Sequence, residues 1–402
     1  MASMNQQETS KSRLVWEVGK TALLLGLTSF GGPIAHLGYF YEEYVKRKKW
    51  MDEKTYADLV ALCQFLPGPA SSQVGIGIGF MRAGVWGAFA AWLGFTLPSA
   101  VALSVVAVWL QHAPSGEAGW MKGLLLAAVA VVAQAVWEMA RKFAAGRLQA
   151  TVAIAAAGAV LLMPDAWSQV AVIAAAGVIG AIGWRKNVAP SSSSAGIPPS
   201  IRRSTGLTLL SLFAVLLVAL PLIRTWIHSP LLALFDSFYR AGALVFGGGH
   251  VVLPLLEAEV VPQRWVTANQ FLAGYSAAQA VPGPLFTFAA YIGMAALGWK
   301  GALVATTSIF LPSFLLVLGA FPFWHWLRRH PRFQAALAGI NAAVVGILLA
   351  ALYDPIWTKA VKGPADLAFV LGAFLLLAVW KWPAWAVVLV SFAGGLWHSF
   401  VQ

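Results

Sequence analysis

Charge and cysteine are what this chain has least of. Of its 402 residues only 10% are Asp, Glu, Lys or Arg, under half the share of a soluble domain, so a water-soluble globular fold is excluded. The single cysteine, Cys63, excludes an internal disulfide and offers no metal or redox signature. No G-x-x-x-x-G-K-S/T phosphate loop is present, so ATP does not drive the chain directly. Neither H-E-x-x-H nor G-x-S-x-G occurs, and the seven His do not cluster with carboxylates or with Cys63. Metal and nucleophile chemistry are left without residues, and the chain reads as no enzyme and as needing no cofactor. Residues 1–13 are polar and lack the apolar core and cleavage site of a signal peptide. Strand alternation is missing too, which argues against a barrel.

What the chain has is apolar length. Ala, Val, Ile, Leu, Met, Phe, Trp, Tyr and Cys make up 59% of it, and the mean hydropathy is +0.75. Residues 83–116, 204–223, 265–299, 301–327, 333–353 and 382–402 carry no charged side chain, and about 20 apolar residues suffice to cross the hydrocarbon. Nineteen Trp and eight Tyr, many near segment ends (Trp50, Trp109, Trp120, Trp226, Trp326, Trp382), fit interfacial belts. The pattern is that of an all-α polytopic membrane protein whose first partner is the lipid bilayer. The net charge of +12 then reads as the positive-inside bias of such proteins and not as a nucleic-acid footprint.

About 13 apolar segments can be drawn, near 14–38, 55–81, 84–111, 121–140, 148–163, 167–184, 206–226, 231–253, 267–297, 300–327, 333–353, 364–380 and 383–400. A Ser/Pro-rich, basic stretch at 185–205 reads as a cytoplasmic linker. Across it the sequence repeats. Phe30-Gly31-Gly32 returns as Phe246-Gly247-Gly248, Gln64 as Gln279, Pro67-Gly68-Pro69 as Pro282-Gly283-Pro284, and Leu97-Pro98-Ser99 as Leu311-Pro312-Ser313. The offset drifts only between 214 and 216. The organisation expected is a first transmembrane repeat over 14–184, the linker, an unpaired connecting helix at 206–226, and a second repeat over 231–400. With six segments per half, one odd spacer turns the second half over, giving the inverted-topology repeats of many secondary transporters. Lys and Arg concentrate on one face if the first two segments of each half dip in and return, and divide more evenly if all four cross. Both arrangements put the N-terminus inside and the C-terminus outside.

The Gly and Pro clusters carry the chemistry. They are Gly31-Gly32-Pro33, Pro67-Gly68-Pro69 followed by Ser71-Ser72-Gln73, Gly247-Gly248-Gly249-His250, and Pro282-Gly283-Pro284 followed by Thr287, with Gln64 and Gln279 just before the Pro-Gly-Pro breaks. Proline ends one helix and begins the next, so each cluster exposes a helix N-terminus at membrane depth. Broken backbone there must line protein or a hydrated cavity, and helix N-termini favour an anion. A packing role alone is the competing reading of these glycines. Among ionisable residues, Arg82 and Arg240 compensate the anion's charge or else reach for the interface. His36 with Glu43, and His250 with Glu257, are seven apart and share a helical face; they carry protons if they face the cavity and otherwise meet water. Glu43 and Glu259 match across the repeat. Asp58 reads as a buried gate or a cap.

The Phe30-Gly31-Gly32-Pro33, Phe65-Leu66-Pro67-Gly68-Pro69, Phe246-Gly247-Gly248-Gly249-His250 and Gln279-Ala280-Val281-Pro282-Gly283-Pro284 stretches resemble the chromate ion transporter family in its long, two-domain form. The resemblance spans almost the whole chain. It implies a bacterial cytoplasmic-membrane protein that exports chromate and confers chromate resistance, with sulfate tied to some relatives. The energy source expected for such export is the proton-motive force or exchange for a counter-anion. A sulfate or other oxyanion carrier, or an anion channel of the same architecture, are the alternatives. A homodimer is compatible with it. Pro33 gives way to Gly249, and Ser71-Ser72 to Phe286-Thr287, which predicts unequal halves.

Overall fold

The computed structural model describes residues 2–112, 119–163, 166–183, 201–246, 249–327 and 330–401, and every regular element among them is helical. The first half holds α1 (Ala2–Thr28), α2 (Gly32–Phe40) running on as a π-helix Tyr41–Arg47, α3 (Glu53–Phe65), α4 (Ala70–His112), α5 (Gly119–Phe143), α6 (Arg147–Leu162) and α7 (Ala166–Gly183). Then comes α8 (Arg203–Trp226). The second half holds α9 (Pro230–Leu244), α10 (Val252–Val260), α11 (Ala268–Ala280), α12 (Phe288–Ala320), α13 (Trp324–Leu327), α14 (Pro331–Ala351), α15 (Thr358–Ala360), α16 (Pro364–Ala378) and α17 (Ala384–Val401). Five stretches, Ala70–His112, Gly119–Phe143, Arg203–Trp226, Leu285–Phe323 and Pro331–Ala360, are long and apolar enough to cross a membrane. The predicted linker lies outside the described residues as far as residue 200. Its last three residues already belong to α8, because a polar first turn costs a helix nothing where its unpaired N–H groups meet water.

The 43 residues of α4 are two helices, not one. At Ala83 and Gly84 the backbone leaves helical geometry, with Gly84 at φ 67°, and the arms fold against each other. Gly79 packs so closely on Gly87 that a Cβ on either would meet the other's carbonyl oxygen. In a straight helix these positions would stand about 12 Å apart. The same reversal occurs in α12 at Leu297 and Gly298, the latter at φ 62°, with Gly293 on Gly301.

Two further reversals precede each long arm. Leu59 of α3 lies over Gly77, so α3 and the first arm of α4 form an antiparallel pair joined at Pro67-Gly68-Pro69. Gly274 of α11 likewise lies under Tyr291, whose hydroxyl donates to the Gln270 carbonyl at 2.8 Å. Helix α1 runs parallel to the second arm of α4, Gly19 over Ala90 and Gly26 over Gly94 and Phe95. After the break at 29–31 the chain comes back, and Lys48 reaches Glu17 at 3.5 Å, the carboxylate that Arg82 also meets at 3.5 Å. The points where each excursion begins and ends are thus level.

Between halves the contacts are reciprocal. Gly123 of α5 sits against Ser391 and Gly395 of α17, and Gly339 of α14 sits against Ala176 and Gly180 of α7. Lipid tails are as apolar as Leu, so helices associate in a membrane through close backbone approach at small residues. Even the entry caps correspond. Asp52 accepts from the Thr55 N–H at the start of α3, and Thr267 accepts from Gln270 N–H at the start of α11.

Candidate functional site

The breaks form because no residue with a side chain suits their backbone. Gly31 and Gly32 stand at φ 98° and 79°, Gly68 at φ 117° and Gly283 at φ 103°, a region open to glycine and costly to others. Pro33 opens α2, and α4 begins directly after Pro69. The Gln73 side chain folds back to donate to the Pro67 carbonyl at 2.6 Å, bracing the turn. Gly247 and Gly248 lie outside the described residues; Gly249, just beyond them, packs toward Pro33.

The tertiary structure brings the Pro-Gly-Pro turn of each half onto the opposite half. Gly68 N–H donates to the Val245 carbonyl at 2.7 Å, and Gly283 N–H to the Ser29 carbonyl at 2.9 Å. A Cβ on Gly68 would stand 3.0 Å from Ser313 Oγ, and one on Gly283 would stand 2.7 Å from Ser99 Oγ. The two Leu-Pro-Ser serines therefore face the turns from across the interface. In sequence that motif stands out only as part of the repeat, where a serine duplicated inside an apolar run is its signal, and the fold alone places Ser29, Thr96 and Ser313 beside the breaks.

Most of the predicted polar residues converge here. His36, buried, places Nδ1 3.3 Å from Ser71 Oγ. Ser29 Oγ, Ser72 Oγ, Gln73 Oε1, Thr96 Oγ1 and Ser313 Oγ are buried and have no hydrogen-bond partner among the described residues. Such a cluster marks polar groups that await water or a ligand. In the second half Thr287 Oγ1 donates to the Pro284 carbonyl at 2.7 Å, and His250 Nδ1 meets the Tyr275 hydroxyl at 2.6 Å. Gln279 and Pro282 are half-buried, and Gln64 is exposed.

The predicted charges lie elsewhere. Glu43 pairs with Arg47 at 3.1 Å. Arg82, exposed, meets Glu17 and lies over the Trp50 ring. Arg240 is held by Asp236 at 3.0 Å and by Glu259, whose Oε2 also accepts from Ser237 at 2.9 Å. Arg224 meets Asp236 at 3.3 Å and Gln263 at 2.8 Å, and these residues line a cavity of about 470 Å³. Both guanidinium groups are thus matched by carboxylates. Glu257 is half-buried on α10, and Asp58 is buried on α3. Around the breaks the donors are neutral: hydroxyls, amides and the first N–H groups of α2 and α4, which have no partner within their helices. A site of that kind favours an anion through the partial positive charge of helix N-termini rather than through a cation.

The family model described as "Chromate transporter" matches the chain twice, over residues 16–181 and 232–396. An uncharacterized transporter of Methanocaldococcus jannaschii is 30% identical over 82% of this chain and 81% of its own length. The chromate transport protein of Pseudomonas aeruginosa is 27% identical over 92% of this chain and 89% of its own. An uncharacterized transporter of Bacillus subtilis is 32% identical over only 40% of this chain but 84% of its own length, a protein of single-repeat size. No solved structure matches the chain.

Proposed function

The chain belongs to the chromate transporter family, and from that premise we propose that it is a secondary transporter that exports chromate by alternating access. The observation that carries the mechanism is the convergence of unpartnered hydroxyls and helix N-termini at breaks where the two halves bond to each other. A tetrahedral oxyanion needs donors from several directions, and the opposed breaks supply them without a buried cation. Chromate is the substrate named for the Pseudomonas aeruginosa relative.

The chain reversals support a topology in which α1 with α2, and α3 with the first arm of α4, dip into the bilayer and return. Glu17, Lys48 and Arg82 then mark one face, which we take as cytoplasmic because the basic residues gather there. On this reading the odd helix α8 carries the chain across, so that α9 and α11 enter from the opposite face and the halves are inverted, with the C-terminus periplasmic. Alternating access follows if the halves rock about the contacts Gly68–Val245 and Gly283–Ser29, exposing the breaks to one side and then the other. A dianion leaving a negative cytoplasm gains about 2.3 kcal/mol per charge per 100 mV, so the membrane potential supplies much of the drive, and a proton or counter-anion supplies the coupling.

The test is uptake of radiolabelled chromate and sulfate into inside-out membrane vesicles, with and without an imposed proton gradient. Saturable chromate uptake that responds to the gradient is expected. Flux that rises linearly with concentration would indicate a channel, and sulfate uptake without chromate uptake would reassign the substrate.

A further inference from the structure

We infer that the molecule holds one oxyanion subsite rather than two symmetric ones, located at the N-terminus of α4 and closed from across the interface by Ser313 of α12. The inference rests on the anion reading above and says where within the paired breaks the anion sits. It follows from comparing positions that the repeat makes equivalent.

At the first-half turn the residues that follow Pro69 are Ser71, Ser72 and Gln73, and at the second-half turn their equivalents are Phe286, Thr287 and Phe288. Ser72 Oγ is buried with no partner, whereas Thr287 Oγ1 is already committed to the Pro284 carbonyl. The crossing serines divide in the same way. Ser313 is fully buried, its Oγ has no partner, and it faces the space where Gly68 lacks a Cβ. Ser99 Oγ instead donates to the Thr96 carbonyl in its own helix at 3.1 Å. Helix starts differ as well. Helix α4 begins as a regular α-helix directly after its turn, while the second-half turn leads into a single 3-10 turn, Leu285–Thr287, before α12.

An unpartnered hydroxyl in a dry interior is costly to keep. Two of them, on opposite halves and beside one helix N-terminus, are what a ligand with acceptor oxygens would satisfy. At the second-half turn the two equivalents, Thr287 and Ser99, are spent locally, and the Phe286 ring lies tilted against Phe310 with centroids 6.1 Å apart; the unpartnered groups there, Ser29 Oγ and Gln279 Nε2, are not on the helix start that follows the turn. A fully ionised tetrahedral oxyanion is the ligand class, since every one of its oxygens accepts.

Purified full-length protein in detergent, titrated with radiolabelled chromate at equilibrium, tests this with two symmetric pairs of variants. Ser313→Ala and Ser72→Ala should each raise Kd roughly tenfold, while their equivalents Ser99→Ala and Thr287→Ala stay within about twofold. Thermal melting of all four should stay close to that of the wild type, because none of these hydroxyls bridges two elements. Should Ser313→Ala fail to fold, the comparison of Ser72→Ala with Thr287→Ala still decides. Equal shifts within each pair, or an unchanged Kd in Ser313→Ala or Ser72→Ala, overturn the single subsite. A wild type with no saturable chromate binding overturns the anion reading itself and this inference with it.

Discussion

The two Pro-Gly-Pro turns share a backbone and differ in what surrounds it. Both hold a glycine at positive φ, 117° and 103°, both donate a hydrogen bond to the opposite half, and both face a serine from a Leu-Pro-Ser stretch. Yet the first is followed by Ser71-Ser72-Gln73 and the second by aromatic residues. Phe286, Phe288 and Phe310 are among the largest fully buried side chains of the molecule, as are Phe238, Tyr239, Phe271, Tyr275 and Tyr291 of the same half. Backbone geometry has stayed alike while side chains have diverged, so the first turn is flanked by polar donors, Ser313 of the opposite half among them, and the second turn by an apolar wall.

The charged residues divide the other way. Arg240, Asp236 and Glu259 of the second half form a connected network with Arg224 of the connecting helix, joining α8, α9 and α10. In the first half the equivalent of Glu259, Glu43, has among the described residues only the exposed Arg47 one turn along as its ion-pair partner. A buried network is costly to break because removing one partner strands the others in low dielectric. An exposed pair contributes little.

Breaking the shared feature should have the largest effect. Gly68→Val and Gly283→Val each force a β-branched residue into positive φ and against the facing serine, and vesicle uptake should fall to background while membrane insertion, read by immunoblot, persists. Wild-type flux in either variant would remove the breaks from the transport path. Next in size, Arg240→Gln leaves the half-buried Glu259 without its guanidinium and the buried Asp236 with Arg224 alone; a loss of about 3 kcal/mol in stability is expected, seen as a lower melting temperature in detergent. Smaller still, Ser71→Ala combined with Ser72→Ala should raise the half-saturation concentration for chromate, at about 1.5 kcal/mol or roughly tenfold per hydroxyl, with a small drop in melting temperature from the lost Ser71–His36 contact. An unchanged half-saturation would take both serines out of the site and equalise the two turns. Smallest of all, Arg47→Gln should alter neither uptake nor melting; if it costs as much as Arg240→Gln, the contrast between the charge clusters fails.

Much of the helical pattern could be read locally. Helices α5, α6, α7, α8, α14, α16 and α17 follow the apolar segments within a few residues, because an uninterrupted apolar run leaves the backbone no other way to satisfy itself in lipid. Pro67, Pro69, Pro282 and Pro284 likewise announced their breaks, since proline acts on its own turn of helix. The apolar segments also part at 82–83 and 298–299, where the reversals at Gly84 and Gly298 fall, but only the packing of Gly79 on Gly87 and of Gly293 on Gly301 shows that the arms fold back on each other. Arg240 illustrates the same limit. Its position within an apolar segment suggested either a charge for the anion or a reach to the interface, and the outcome, capture by two carboxylates, depends on Glu259 nineteen residues away.

The sequence by itself determined that the chain is helical and membrane-embedded, that it is a duplication, and that its helices break at Gly and Pro. All of these are settled within a turn or two of backbone or by matching at a constant offset. Tertiary structure alone decided which half's break lies against which, that Ser99 and Ser313 reach across, and which hydroxyls remain unsatisfied. Whether a buried serine has a partner depends on atoms brought close by folding, from helices more than 200 residues apart in the case of Gly68 and Ser313, and no local pattern of residues encodes that distance.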